Sequence, residues 1–176
     1  MATSATGGFL SPSGAVTYGQ ELEDLFQAFI VGVTGLDGTL VRPRWQPEPL
    51  PMPSITENWC AFGIKTITPD DGPYFEQHNT NIDNIRHEVL EVFLSFYGLQ
   101  GQQLANTFKN GLGIPQNIQQ LLSFKFVDVS AITTAPDFLN QQYVHRYDLV
   151  ATFRRKTTQQ YAVDTLQSSQ IKFNRG

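Results

Sequence analysis

Thirteen residues, "IRHEVLEVFLSFY" from Ile85 to Tyr97, constrain the fold more than any other stretch of the chain. In an extended backbone Leu90, Val92, Leu94 and Phe96 share one side, while Val89, Glu91, Phe93 and Ser95 share the other. A helix would scatter both sets around its axis, whereas a strand with a period of two sorts them. The first face is expected to be core and the second amphiphilic. Gln142 to Arg155 repeats the pattern, with Tyr143, His145, Tyr147, Leu149, Ala151 and Phe153 opposing Val144, Arg146, Asp148, Val150, Thr152 and Arg154. Alternation of that kind belongs to an antiparallel sheet with one covered face.

The cover must come from helices, and three segments have the spacing for it. Leu22, Leu25, Phe26, Phe29, Ile30 and Val33 recur at helical intervals with polar residues between them, and "GVTGLDG" should end the helix between Gly32 and Gly35. Thr17 precedes Gln20 by three, the spacing of a capping box. Gly98 breaks the long strand, after which Leu104, Ala105, Phe108 and Leu112 fit one helical face. A short helix should start at Pro115, with Ile118, Leu121 and Leu122 turned inward. Further strands are expected at Asn58 to Ile67, with Tyr74 to His78 as its short return, and at Phe124 to Ile132, with "TTAPDFLN" as a turn region before the last long strand. Tyr161 to Leu166 has the composition of an added edge strand. This order predicts a single α+β domain, a mostly antiparallel (mixed) sheet with helices on one face.

Residues 39 to 58 do not fit either period. Val41 to Pro53, "VRPRWQPEPLPMP", holds five prolines, two arginines and a tryptophan. Each proline fixes its own φ and biases its predecessor toward extended geometry, so an extended Pro-rich arm is expected, without helix or central-strand pairing. Arginine and tryptophan are enriched where protein surfaces meet. Arg42, Pro43, Arg44 and Trp45 are therefore candidate subunit or partner contacts, with Glu21, Glu23 or Asp24 of an adjacent copy as acidic counterparts. The plainer alternative is that Trp45 covers the domain's own core. Residues 1 to 16 read as a flexible leader, 17 to 166 as the domain, and 167 to 176 as a tail.

Composition narrows the partners. Charged residues make up 16% of the chain and the net charge is -4, with a pI near 5.3. Gripping nucleic acid through its phosphates needs a basic face, which this balance does not favour. A surface rich in Gln, Asn, Thr and Ser is instead easy to bury against other subunits. The single Cys60 excludes an internal disulfide, and its neighbours Trp59, Ala61 and Phe62 suggest a buried thiol. Neither a signal peptide nor an apolar run of the ~20 residues a membrane helix needs is expected.

No constellation for catalysis emerges. His87 and Glu88 are strand neighbours and point to opposite faces, as do His145 and Asp148 by parity; His78 stands alone. Asp70 and Asp71 lie in a Pro/Gly turn, where Asp commonly bonds its own backbone. The glycines match no phosphate-binding fingerprint. Arg154, Arg155 and Lys156 form the one basic run, read as a solvated rim, with Arg154 and Arg155 added to the candidate contacts. No cofactor, no metal and no enzymatic activity are expected.

Taken in order, "VRPRWQPEPLPMP", "WCAFGI", "RHEVLEVFLSFYG", "NGLGIPQN" and "RYDLVATFRR" resemble the neck and tail terminator proteins of tailed bacteriophages, over about Gly19 to Leu166. The resemblance implies a structural virion protein at the head-tail junction, made in the host cytoplasm. It implies a closed ring, usually of six copies, on the head-proximal end of the tail tube. Such a ring stops tube growth and presents a surface to the head connector. The implied partners are further copies, the tail-tube protein and head-completion or connector proteins, with genomic DNA passing through the lumen without sequence-specific binding and no membrane involved. A head-closure, connector or tail-tube component of a tailed phage is the alternative. The fold implied agrees with the α+β layer read from the residues.

Overall fold

The computed structural model describes residues 8–48, 50–139 and 141–163, with the side chain of Leu139 excepted. The chain is α+β: helices α1 (Gln20–Thr34), α2 (Gly101–Gly111) and α3 (Pro115–Gln119) accompany seven strands of one mixed sheet. The strands are β1 (Val41–Pro43), β2 (Trp59–Pro69), β3 (Tyr74–Gln77), β4 (Asn81–Tyr97), β5 (Phe124–Val129), β6 (Thr133–Leu139) and β7 (Gln142–Ala162). Their order is β1-β2-β4-β7-β5, with β3 on β4 and β6 on β7. The one parallel pair given by register is β1 with β2, at the sheet edge. Glu88 meets Arg155 and Ser95 meets Asp148. Partners that advance on β4 therefore retreat on β7, which makes the two central strands antiparallel.

By backbone contacts the chain forms two compact units, one from residues 17–70 and 87–156, the other including 8–16, 71–86 and 157–163. The larger unit contains the core. Leu22, Phe26, Phe29 and Ile30 of α1, Ala105 and Phe108 of α2, and Leu112 and Leu121 beyond it cover Cys60, Phe62, Leu90, Leu94, Phe96, Leu149 and Phe153 of the sheet. Phe26 stands edge-on to Phe124 at 5.3 Å and tilts against Phe153 at 5.1 Å, geometries that suit the aromatic quadrupole. The smaller unit is a hairpin, with Tyr74 opposite Ile85 and Gln77 opposite Ile82, plus an isolated bridge between Ser13 and Gln160.

Several sequence expectations are corrected by this arrangement. Gly19, not Thr17, caps α1, and no side chain caps it; the carbonyl of Thr17 instead accepts from Arg155 Nη1 at 2.7 Å. A tertiary anchor has replaced the local cap. The return strand β3 pairs with β4, not with β2. "TTAPDFLN" is not a turn: Thr133–Leu139 is a strand antiparallel to β7. Pro136 is tolerated there because β6 pairs on one side, where a missing N–H need break no ladder. Leu121 is buried as expected, but Leu122 has φ of +50° and is 81% exposed. Arg155 is not on a solvated rim. It is 4% exposed, because strand parity carries it to the core face next to Phe153.

Two boundaries follow the expected chemistry. Gly35 closes α1 in the left-handed conformation, its N–H bonded to Val31 O. Gly98 ends β4 with φ of +95°, and a Cβ there would run into the carbonyl of Glu57. The Tyr161 to Leu166 stretch enters the structure only through Tyr161 and Ala162, which continue β7, and Val163; Asp164 to Leu166 lie outside the described residues.

Candidate interface on the helix-free face

The helices cover one face of the sheet, so what covers the other decides which residues remain for a partner. On that second face, cross-strand partners Trp59 and Tyr97 stack at 4.2 Å with planes 6° apart. Along the same rows Ala61 faces Ser95 and Gly63 faces Phe93. Arg42 to Arg44 cross this edge: Arg42 registers with Ala61, and Arg44 N–H donates to Phe62 O at 2.7 Å.

From there the arm turns inward through one cation and outward through one ring. The Arg44 guanidinium lies over Phe93 at 4.8 Å and donates through Nη2 to Ser95 Oγ. Ser95 Oγ donates in turn to Asp148 Oδ1. Arg146 Nε donates to Asp148 Oδ2 at 3.0 Å, and its Nη1 to Asp137 Oδ2 at 2.9 Å, which also accepts from Tyr97 OH at 3.3 Å. Two guanidiniums and two carboxylates thus balance in one network that ties the arm to β4, β6 and β7. Burial opposes the charge on Arg146, but Asp148 and Asp137 outweigh it and raise its pKa further. Burial, and then the neighbouring Asp137, push the Tyr97 phenol up as well, against a downward pull from Arg44.

Trp45 follows with φ of +58°, a conformation that costs a bulky residue on the order of 1–3 kcal/mol. The strain places its ring against Gly63, where any Cβ would run into it. Its other side is open, leaving the residue 72% exposed. Together with Arg42, Leu50, Met52, Trp59 and Tyr97 it lines a groove of about 360 Å³. Arg42 donates to the carbonyls of Thr39 and Pro51 and meets no carboxylate among the described residues.

The structure thus brings Arg42, Pro43, Arg44 and Trp45 together. Arg154 shares the strand parity of Arg146 and Asp148, and pairs with Asp70. Arg155 is separate, held on the opposite face between the rings of Tyr18 and Phe124 and paired with Glu88 at 2.9 Å. Sequence reasoning missed the network of Ser95, Asp137, Arg146 and Asp148 and the seat at Gly63. The available signal was polar residues at outward positions of otherwise apolar strands. Cys60 is buried, and burial raises its thiol pKa. His78 pairs with Asp83 at 3.3 Å, His87 and His145 are exposed, and no group of three potential metal ligands occurs among the described residues. No helix among them is long and apolar enough to cross a membrane.

A family model described as phage neck terminator protein matches residues 20–176. The chain belongs to that family. A comparison with curated proteins returns no match. Membership makes the chain a structural component of the phage neck, and the matched region spans both the helix layer and the arm. The groove combines exposed apolar area with fixed guanidinium donors.

Proposed function

We propose that this neck terminator protein closes into a ring of six copies on the head-proximal end of the tail tube. There it stops tube growth and offers its outer surface to the head connector. The observation that carries the reading is the family match over residues 20–176. It is supported by a surface with few charges and by exposed large apolar side chains at Trp45, Leu50 and Met52. Arg42, Pro43, Arg44 and Trp45 contact a neighbouring subunit or the tube, with Arg154 as a polar contact on the same strand face. A net charge of -4 suits a lumen through which DNA slides without being held.

Negative-stain electron microscopy of the purified protein added to assembling tubes of its cognate tail-tube protein tests this. Caps at one end, with tubes that cease to lengthen, are expected. Unaltered tubes without rings would overturn the terminator reading in favour of a head-side component.

A further inference from the structure

The arm has a complement elsewhere on the same unit. Between α1 and α3 lies an open, mainly apolar groove of about 510 Å³, lined by Leu25, Phe29, Val33 and Leu121, with Ala28 and Gly32 open to solvent and Asn117 and Gln120 as its polar lining. Ala28 and Gly32 are exposed, and a Cβ on Gly32 would meet nothing within 4 Å. One turn before the groove α1 carries Glu21, Glu23 and Asp24, which make no ion pair among the described residues. Glu23 is held above the usual carboxylate range by burial and by Asp24, as expected of an acidic turn without a cation.

The arm presents the opposite pattern. Among the described residues Arg42 meets no carboxylate, and two of the five N–H donors of its guanidinium are spent on carbonyls there. Three residues on, Trp45 shows the outer face of its ring. One surface is acidic then concave and apolar; the other is cationic then convex and aromatic. Complementary but different patches on one chain make a head-to-tail contact, the kind that closes rings.

We propose that the groove between α1 and α3 receives the Trp45 arm of a second copy of this chain, with Arg42 of that copy set against Glu21 and Asp24. This rests on the ring reading and assigns it a seam. Gly63 backs the indole from behind while the groove takes its outer face, so the strained backbone at Trp45 holds the ring ready to insert. The sheet edge contributes position, and the single ring contributes most of the contact, as interface anchors do.

Trp45→Ala removes the knob, and Ala28→Arg fills the hole at an exposed position. Each variant alone is expected to weaken self-association of the full chain at least tenfold by sedimentation velocity. Mixed in equal amounts they should form one-to-one pairs, since the groove of one is intact and so is the arm of the other. A double variant that keeps the knob and the hole, Gln46→Cys beside the ring with Gln120→Cys on the groove wall, should give a disulfide-linked ladder under mild oxidation, with buried Cys60 not competing, whereas either single cysteine stops at dimers. Wild-type rings with no ladder, or variants that associate like wild type, would overturn the seam and leave the ring reading standing. A wild-type chain that neither associates nor caps tubes would overturn the ring reading, and the seam with it.

Discussion

The two faces of the sheet are closed in different ways. On the helix side Phe26, Phe62, Phe96, Phe108 and Phe153 interdigitate without a polar partner, so the free energy comes from apolar area removed from water. On the helix-free side Ser95, Arg44, Asp148, Arg146 and Asp137 form a connected network, while Trp45 stays largely in solvent. The first face has the composition of a core that holds the fold. The second holds a surface in a fixed shape, at the cost of a strained residue and an open groove. The fold is therefore expected to depend on the first face and the display of the Trp45 arm on the second, and substitutions can break that separation or sharpen it.

Phe26→Ala should have the largest effect on folding, about 3–5 kcal/mol, because the cavity it leaves is ringed by other aromatics that cannot collapse into it. Urea unfolding followed by circular dichroism reads this, and a loss under 1 kcal/mol would mean that the helix layer is not the core. Ser95→Ala removes the hydroxyl that bridges Arg44 to Asp148 and should cost about 1–3 kcal/mol, as expected when buried polar groups lose a partner. If the second face were a passive surface, that change would be silent.

The pH dependence should separate the faces as well. Cys60 and Tyr97 both have pKa values raised by burial. A raised folded pKa means that the folded state holds its proton more tightly than the unfolded chain. The stability is fully present below the unfolded value, about 8.5 for cysteine and 10 for tyrosine, and is lost as pH rises through the folded one. The thermal midpoint should thus stay level from pH 6 to 8 in these two groups' contribution and fall above about pH 9. Tyr97→Phe should lower the unfolding free energy by about 0.5–1.5 kcal/mol at neutral pH and make the alkaline fall of the midpoint shallower. An identical slope in that variant would show that Tyr97 does not titrate with unfolding.

The smallest effect on stability is expected at the displayed ring of the arm, Trp45. Trp45→Gly loses the contact with Gly63 but relieves a positive φ, so unfolding should change by no more than about 0.5 kcal/mol. Assembly should nonetheless fail.

Period-two alternation made β4 and β7 legible, and helical spacing made α1 and α2 legible, because in each the side chain reports its own face. What could not be read depended on partners distant in sequence. Thr133–Leu139 looked like a turn because its proline is permitted by an edge position that no local pattern encodes. Arg155 looked solvated because neighbouring charges suggested a rim, whereas Glu88, sixty-seven residues earlier, neutralises it inside. Arg42, Arg44 and Trp45 stood out by composition alone. Their division of labour did not: Arg44 is spent on Ser95, Trp45 is displayed, and the residue that displays it is a glycine with no side chain to notice.

Radical footprinting by mass spectrometry, comparing free protein with protein bound at the ends of tail tubes, tests the central claim most directly. Oxidation of Trp45 and Met52 should fall severalfold on binding while Leu122, exposed but outside the arm, serves as the reference. Caps that form while Trp45 and Met52 stay as reactive as in the free protein would contradict the assignment of the helix-free face as the contact surface.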